Sequence, residues 1–337
     1  MQVFARQLIS EHCVGAEWPE FVGRVELGEA FLIETVEVGA NGPIEVAGVR
    51  AGDALAIHIE AIEMEPPFCA PNGGPFINGE QVPLTYRDGW FYWPKRFRLK
   101  AEPSVGSVAV LPEPTDAILR MSRLMEYGGR VWRNERGWRR IVRDPRDKHC
   151  HQDCQALGVG SVIHLKAQVD GAGLCVEDVH GYIGQGEMAF AAIEVNARVR
   201  LRVERSTGWL VDWPLIETPQ EIMVLASWAN VYPDQPAARY VDVIRQAYRS
   251  MVEVVAARVG GTFAEANTIV ATAVDMRNCA LYGLQGFISD EASPSATDMA
   301  VAAVLPRSVF GDDPAEMHDL KTPIVEGEDI DATQGRD

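Results

Sequence analysis

The stretch MAFAAIEVNARVRLRVE, Met188 to Glu204, decides the fold. Ile193, Val195, Ala197, Val199, Leu201 and Val203 recur at every second position, with polar residues between most of them. Successive strand side chains point to opposite faces, so this period of two predicts one long half-buried strand and excludes an amphipathic helix. The same alternation marks FLIETVEV (Phe31 to Val38), GPIEVAGV (Gly42 to Val49) and ALAIHIEAIEM (Ala54 to Met64). Turn residues such as Ala51-Gly52-Asp53 separate them. His58 stands opposite the Leu55, Ile57 and Ile59 face of its run, and reads as a solvent-side residue. Further strands are expected in Val105 to Pro114, Ser161 to Val169, LCVEDVHGYI and IMVLASW.

Beyond Pro236 the period lengthens. AARYVDVIRQAYRSMVEVVAARV, Ala237 to Val259, has helical apolar spacing and stops at Gly260-Gly261. TFAEANTIVATAVDMRNCALYGL opens with Thr262 and Glu265 at capping-box spacing and reads as a second helix. AVAAVLPRSVF closes the ordered chain as a strand or short element, and residues 116–130 carry another helical pattern. The expected fold class is predominantly β, built of sandwich- or barrel-like subdomains, with a C-terminal α+β layer. Residues 1–225 form the β-rich part, 226–310 the helical layer completing the same fold, and 311–337 an acidic, loosely held tail.

A net charge of −17 on 337 residues argues against nucleic acid and against anionic membrane surfaces as partners. The Arg130 to Arg146 cluster is interleaved with Glu135 and Asp144 and reads as an ion-paired surface. Six scattered cysteines make neither a disulfide framework nor a pair of zinc-type C-x-x-C motifs. With no apolar leader at the start and no run approaching eighteen apolar residues, the expected location is the cytoplasm.

One window concentrates chemistry. Between Lys148 and Glu194 the chain carries His149, Cys150, His151, Asp153, Cys154, Glu177, Asp178, His180, Glu187 and Glu194. On extended backbone His149, His151 and Asp153 would share a face, as would Asp178 and His180. Two short ligand pairs from neighbouring strands can hold a divalent cation. His180 and Asp178 are the first candidates, followed by Asp153 and His151, and each has a bystander reading beside it. The mixed nitrogen and oxygen set suits zinc, manganese or iron better than magnesium. Glu187 lies on the turn Gly184-Gln185-Gly186-Glu187, where a carboxylate can carry a proton between attacking water and leaving amine. A turn-stabilising acid or a further ligand fits that position equally. Cys150 as a nucleophile is disfavoured, because on a strand it points away from both neighbouring histidines. The stretch Pro66 to Lys100, rich in Pro, Gly and aromatics, reads either as a substrate-side loop or as a packed connector; Trp90 to Trp93 hint at a flat ligand.

The order of segments resembles the acetamidase/formamidase family. GPIEVAGVRAGDALAIHIEAIE is similar to its GPI-V-G-PGD segment, and PSVGSVAVLP (Pro103 to Pro112) to the strand that follows. Lys148 to Val195 resembles the block running from GGN-x-D through GD-x-H-x-x-QG-x-GE to AIE, and AEANTIVATAVDMRNCAL resembles a helical segment ending in AVD. On that resemblance Asp153, Asp178, His180, Gly184, Gly186, Glu187, Glu194 and Asp275 fall on family positions, and Glu37 falls where an acid is frequent. His149, Cys150 and His151 replace GGN, Glu177 replaces a glycine, Ile183 the Gln, and Gln185 the inner acid. The resemblance implies metal-assisted hydrolysis of a C–N bond in small linear amides, and self-association as a homodimer or higher homo-oligomer. The replaced residues leave two alternatives open: a small-molecule or metal-binding protein that has lost hydrolysis, or a metal-dependent ring-opening or lyase enzyme.

Overall fold

The computed structural model describes residues 1–6, 20–35, 41–71, 81–94, 97–111, 152–187, 192–227, 240–281 and 299–311. His149, Cys150, His151, Glu37, the expected helix at 116–130, the arginine cluster and the acidic tail lie outside them.

Two sheets carry the fold. The larger has nine strands: β1 (Gln2–Phe4), β3 (Ala30–Thr35), β15 (Asn196–Arg205), β5 (Ala54–Glu65), β12 (Val162–Lys166), β16 (Leu215–Glu217), β17 (Glu221–Ser227), β19 (Met299–Pro306) and β18 (Asp275–Leu281), in that order across the sheet. The smaller orders β11 (Ser104–Val110), β13 (Leu174–Tyr182), β4 (Asn41–Val46) and β2 (Gly23–Val25), with β14 (Ile193–Glu194) pairing β13. Two minor sheets lie apart from these, one of β6 (Cys69–Pro71) and β7 (Gln81–Pro83), the other of β8 (Thr85–Arg87), β9 (Trp90–Tyr92) and β10 (Arg98–Lys100). The chain is predominantly β with a helical layer near its C-terminal end, as the change of period implies.

β15 behaves as its alternation requires. Ala197, Val199, Leu201 and Val203 are fully buried, while Arg198, Arg200 and Arg202 alternate outward and pair with Glu34, Glu63 and Glu60. One core unites the sheets: Ile57, Leu165 and Val203 of the large sheet share it with Ile44, Val105 and Val176 of the small one. Each such side chain contributes roughly 1.5–3 kcal/mol by leaving water, which pins the strand faces and hence their register. His58 stays on the outer side, pairs with Glu204 at 3.1 Å and belongs to no candidate ligand group among the described residues.

Helix α1 (Tyr240–Val259) buries Val243, Ala247, Met251, Val254 and Val255 along one stripe and stops at Gly260, whose φ is +69°. Helix α2 (Phe263–Ala273) begins with a complete capping box, Thr262 accepting from the Glu265 backbone and Glu265 accepting from that of Thr262. Both helices pack on a second core formed by Leu215, Ile222, Val224, Val301 and Leu305. The expected second helix is too long. It ends at Ala273, and Asp275–Leu281 becomes β18, paired antiparallel with β19. The spacing in AVDMRNCAL fits either period; burial of Cys279, Ala280 and Leu281 beside β19 decides for strand.

Candidate metal centre

Antiparallel pairing of β11 with β13 sets Ser104 opposite His180, and β14 sets Glu194 opposite it on the other side. His180 is fully buried. Its Nε2 lies 3.6 Å from Oδ2 of Asp178 and 3.4 Å from Oε2 of Glu194.

Asp153 reaches the same place from outside the sheet. It does not continue a strand, contrary to the H-x-H-x-D expectation. Residues 152–154 are irregular, and the backbone N–H groups of Gln152 and Asp153 both donate to the Gly106 carbonyl at 3.0 and 2.9 Å. The Gln152 side chain completes the fastening: its Oε1 accepts from Val108 N at 2.8 Å, and its Nε2 donates to Val108 O at 3.2 Å. Glu187 arrives on its glycine turn, closed by Glu187 N donating to Gly184 O at 3.0 Å. Leu281 N donates to Gly186 O at 2.8 Å and ties that turn to β18.

The result is two overlapping sets of ligand atoms, Asp153/His180/Glu187 and Asp178/His180/Glu194, each with its atoms within 4.8 Å of one another. Ligand bonds of ~2.0–2.2 Å to one ion bring donor atoms to such separations. Gly106 makes the convergence sterically feasible. A Cβ there would stand 2.5 Å from the Asp178 carbonyl oxygen, 2.8 Å from His180 Cε1 and 2.9 Å from Asp153 Oδ1.

The backbone is unusual at the acids themselves. Asp153, Asp178 and Glu187 have φ of 42°, 62° and 40°, and among the described residues only Asp88 and Ala172 are other non-glycine residues in that region. Left-handed conformations of this kind cost on the order of 1–2 kcal/mol each and persist where surrounding structure enforces them, commonly at functional sites.

Electrostatics are equally specific. Burial works against a charge on His180, but Glu194 and Asp178 beside it outweigh that and hold its pKa well above the ordinary imidazole value. Burial, reinforced by Asp178 and Glu187, pushes Glu194 up to about 8 despite the opposing attraction of His180. Both ring nitrogens of His180 and Oε2 of Glu194 are buried without a hydrogen bond. Buried polar atoms normally have partners, and imidazole nitrogen with carboxylate oxygen is the donor chemistry of a borderline divalent cation. The residues present therefore fit such an ion.

Of the residues singled out in the sequence, Asp178, His180, Asp153 and Glu187 converge, and His151 lies outside the described residues. Glu194, noted in the same window and as a family position but not among the proposed ligands, is a central member; its direct register with His180 is a tertiary fact that no local motif carries. Asp275 opens β18 on the exposed surface and belongs to neither ligand set. Phe91 is fully buried, with Phe68 and Tyr86 rings 5.6 and 5.1 Å away, and Trp90 is covered by the Arg98 guanidinium at 4.5 Å.

The acetamidase/formamidase family model matches residues 92–244, the segment that contains every member of the two ligand sets. An acetamidase structure from Bacillus halodurans superposes with a TM-score of 0.63 at 19% identity, covering 86% of this chain and 93% of its own. One from Yersinia enterocolitica gives 0.66 at 18% identity, covering 91% and 93%. At these identities the structural likeness speaks to fold alone. No curated protein matches the chain. With its altered GGN and inner-acid positions, this chain is similar to the acetamidase/formamidase family over residues 92–244 and shares the fold of these acetamidases.

Proposed function

We propose that the protein hydrolyses the C–N bond of small linear amides with a divalent cation, zinc foremost, held by His180, Asp178 and Asp153, with Glu194 as a further ligand. The observation that carries this reading is the gathering of carboxylates around a fully buried His180 whose ring nitrogens have no hydrogen bond. When bound, such a cation supplies Lewis-acid activation of the amide carbonyl and of water.

The chain's own residues supply the rest. Glu187, on a turn anchored at Gly184 and Gly186, takes a proton from water and delivers it to the leaving amine nitrogen, which would otherwise depart as an unstable anion. Its burial excludes bulk water from that transfer. Asp153 and Asp178, fixed by their backbone, hold charge in place before substrate arrives, and this preorganisation is what lowers a barrier in a low-dielectric site.

The test pairs zinc analysis of the purified protein with ammonia release from a panel of amides, lactams and ureides. Turnover that is abolished by His180→Ala together with zinc content, and by Glu187→Gln with zinc retained, is the expected result. Zinc without turnover on any C–N substrate would overturn hydrolysis in favour of a binding protein. Ring-opened product without ammonia would overturn linear-amide specificity. Zinc lost in Glu187→Gln would make that residue a ligand.

A further inference from the structure

A second constellation of chemically capable side chains, unused by the reaction above, spans four strands of the large sheet. His164 on β12 lies opposite Leu215 of the helix-side core, whereas its neighbours Ile163 and Leu165 face the core between the sheets. Residues directly paired across strands share a face, so His164 projects toward the helical layer and away from the inter-sheet core. It is 3% exposed. Its Nδ1 is 2.8 Å from Ser206 Oγ and its Nε2 is 2.7 Å from Glu217 Oε1.

Alanine makes the reach feasible. β5 lies between β15 and β12, and Ala56 is the residue paired with both His164 and Glu204. Ser206 extends that ladder by donating its N–H to the Ala54 carbonyl. With only methyl groups in between, serine and histidine meet across an intervening strand.

The direction of each hydrogen bond follows from Glu217. A carboxylate only accepts, so the neutral ring carries its proton on Nε2 and leaves the Nδ1 lone pair to accept from the Ser206 hydroxyl. Glu217 is itself immobilised: Trp209 Nε1 donates to Oε1 at 2.8 Å and Arg307 Nη1 to Oε2 at 2.9 Å. Partial burial disfavours its charge, but these donors and His164 hold the carboxyl below the usual glutamate range. An oriented acid, a histidine with a fixed tautomer and a serine within hydrogen-bond reach are the working parts of a nucleophilic relay, recognised by roles and geometry and not by sequence order. Ser206 is half-buried, and Arg205, Thr207, Gly208 and Leu210 around it in sequence are exposed.

The geometry points to a second, metal-independent acyl-transfer site in which Ser206 is the nucleophile, His164 its base and Glu217 the residue that positions His164, acting on small activated esters. Ser206 Oγ bonds to the acyl carbon while its proton passes to His164 Nδ1. The ester C–O bond breaks and the alcohol leaves with that proton. Water then attacks the acyl-serine by the same exchange, regenerating Ser206 and releasing the acid.

The experiment treats the full chain, with and without EDTA, with p-nitrophenyl acetate and with a fluorophosphonate, and locates the adduct by peptide mass spectrometry. A single adduct on Ser206 is expected, unaffected by EDTA, with nitrophenolate release falling at least ~100-fold in Ser206→Ala and His164→Gln, the scale of a lost general base. Glu217→Gln should slow both by about tenfold or more through the wrong tautomer, with a melting temperature showing that the fold is kept. Label spread over exposed serines, or a Ser206 adduct formed equally fast without His164, overturns the proposal. Should the His164 variants unfold, Ser206→Cys alkylation by iodoacetamide, compared with and without Glu217→Gln, reads the same relay; equal rates overturn it.

Discussion

Glu194 Oε2 lies 3.4 Å from His180 Nε2, and the two residues face each other directly across the β13–β14 pairing. Each holds a proton more tightly here than in an unfolded chain, where the ordinary values are 6.5 for the imidazole and 4.5 for the carboxyl. The stabilisation this brings to the metal-free protein is complete below those values. It is lost as pH rises, for Glu194 through about 8 and for His180 through its own raised value. A bound cation replaces those protons, so zinc should protect most at the alkaline end and release protons on binding. Thermal melts in chelator should therefore fall between about pH 5 and 9, flatten in Glu194→Gln, and recover with zinc. A flat wild-type profile would contradict the assignment. Glu217 and Glu221, held below the usual range, act in a separate acidic window and lose their contribution as pH falls.

Gly106 should tolerate no side chain. In Gly106→Ala the new methyl meets the Asp178 carbonyl at 2.5 Å, a backbone atom that cannot swing away, as well as His180 and Asp153. A cost of about 1–3 kcal/mol is expected for forced overpacking, together with loss of zinc. Gly184→Ala is the control, since a Cβ there meets nothing within 4 Å. Zinc stoichiometry and melting temperature of the pair check this; normal zinc binding by Gly106→Ala would show that the strands can part without cost.

How far the sequence announced this site depends on the kind of interaction. Strands such as β15 were legible because burial of one face forces a period of two, and α1 because its stripe and Gly260 stop agree. The Asp178–His180 pair was legible as neighbours on one strand, although the φ of +62° at Asp178 departs from the regular pleat that suggested it. Glu194 was not, because its partnership with His180 is created by register between strands. The β18 segment was misread as helix because β19, eighteen and more residues further on, supplies the pairing that its own spacing leaves undecided. The Ser206–His164–Glu217 relay joins β12, β16 and the residue that follows β15, with no shared motif at all.

Backbone conformation and charge at Asp178 are separable by substitution. Asparagine adopts the left-handed region at lower cost than alanine does. Asp178→Asn should keep the melting temperature of the metal-free protein while lowering zinc affinity at least ~10-fold. Asp178→Ala should lose the same affinity and a further ~1–2 kcal/mol of stability. Equal melting temperatures for the two variants would mean that the positive φ at Asp178 carries no strain.

Phe91 separates two roles for the aromatic segment. Its ring packs where a Cβ on Gly181 would stand, 2.5 Å from Cζ, one residue beyond His180, and it is completely enclosed by Phe68 and Tyr86. A ring so placed wedges β13 from behind and fixes the imidazole indirectly. Phe91→Ala should therefore cost about 3–5 kcal/mol as a core cavity, with weakened zinc binding as a consequence of a loosened strand. Phe91→Leu, which refills most of the space, should restore both. If Phe91→Ala instead reduced amide turnover through KM alone, with melting temperature and zinc content unchanged, the ring would be touching substrate, and the segment would be a binding loop after all.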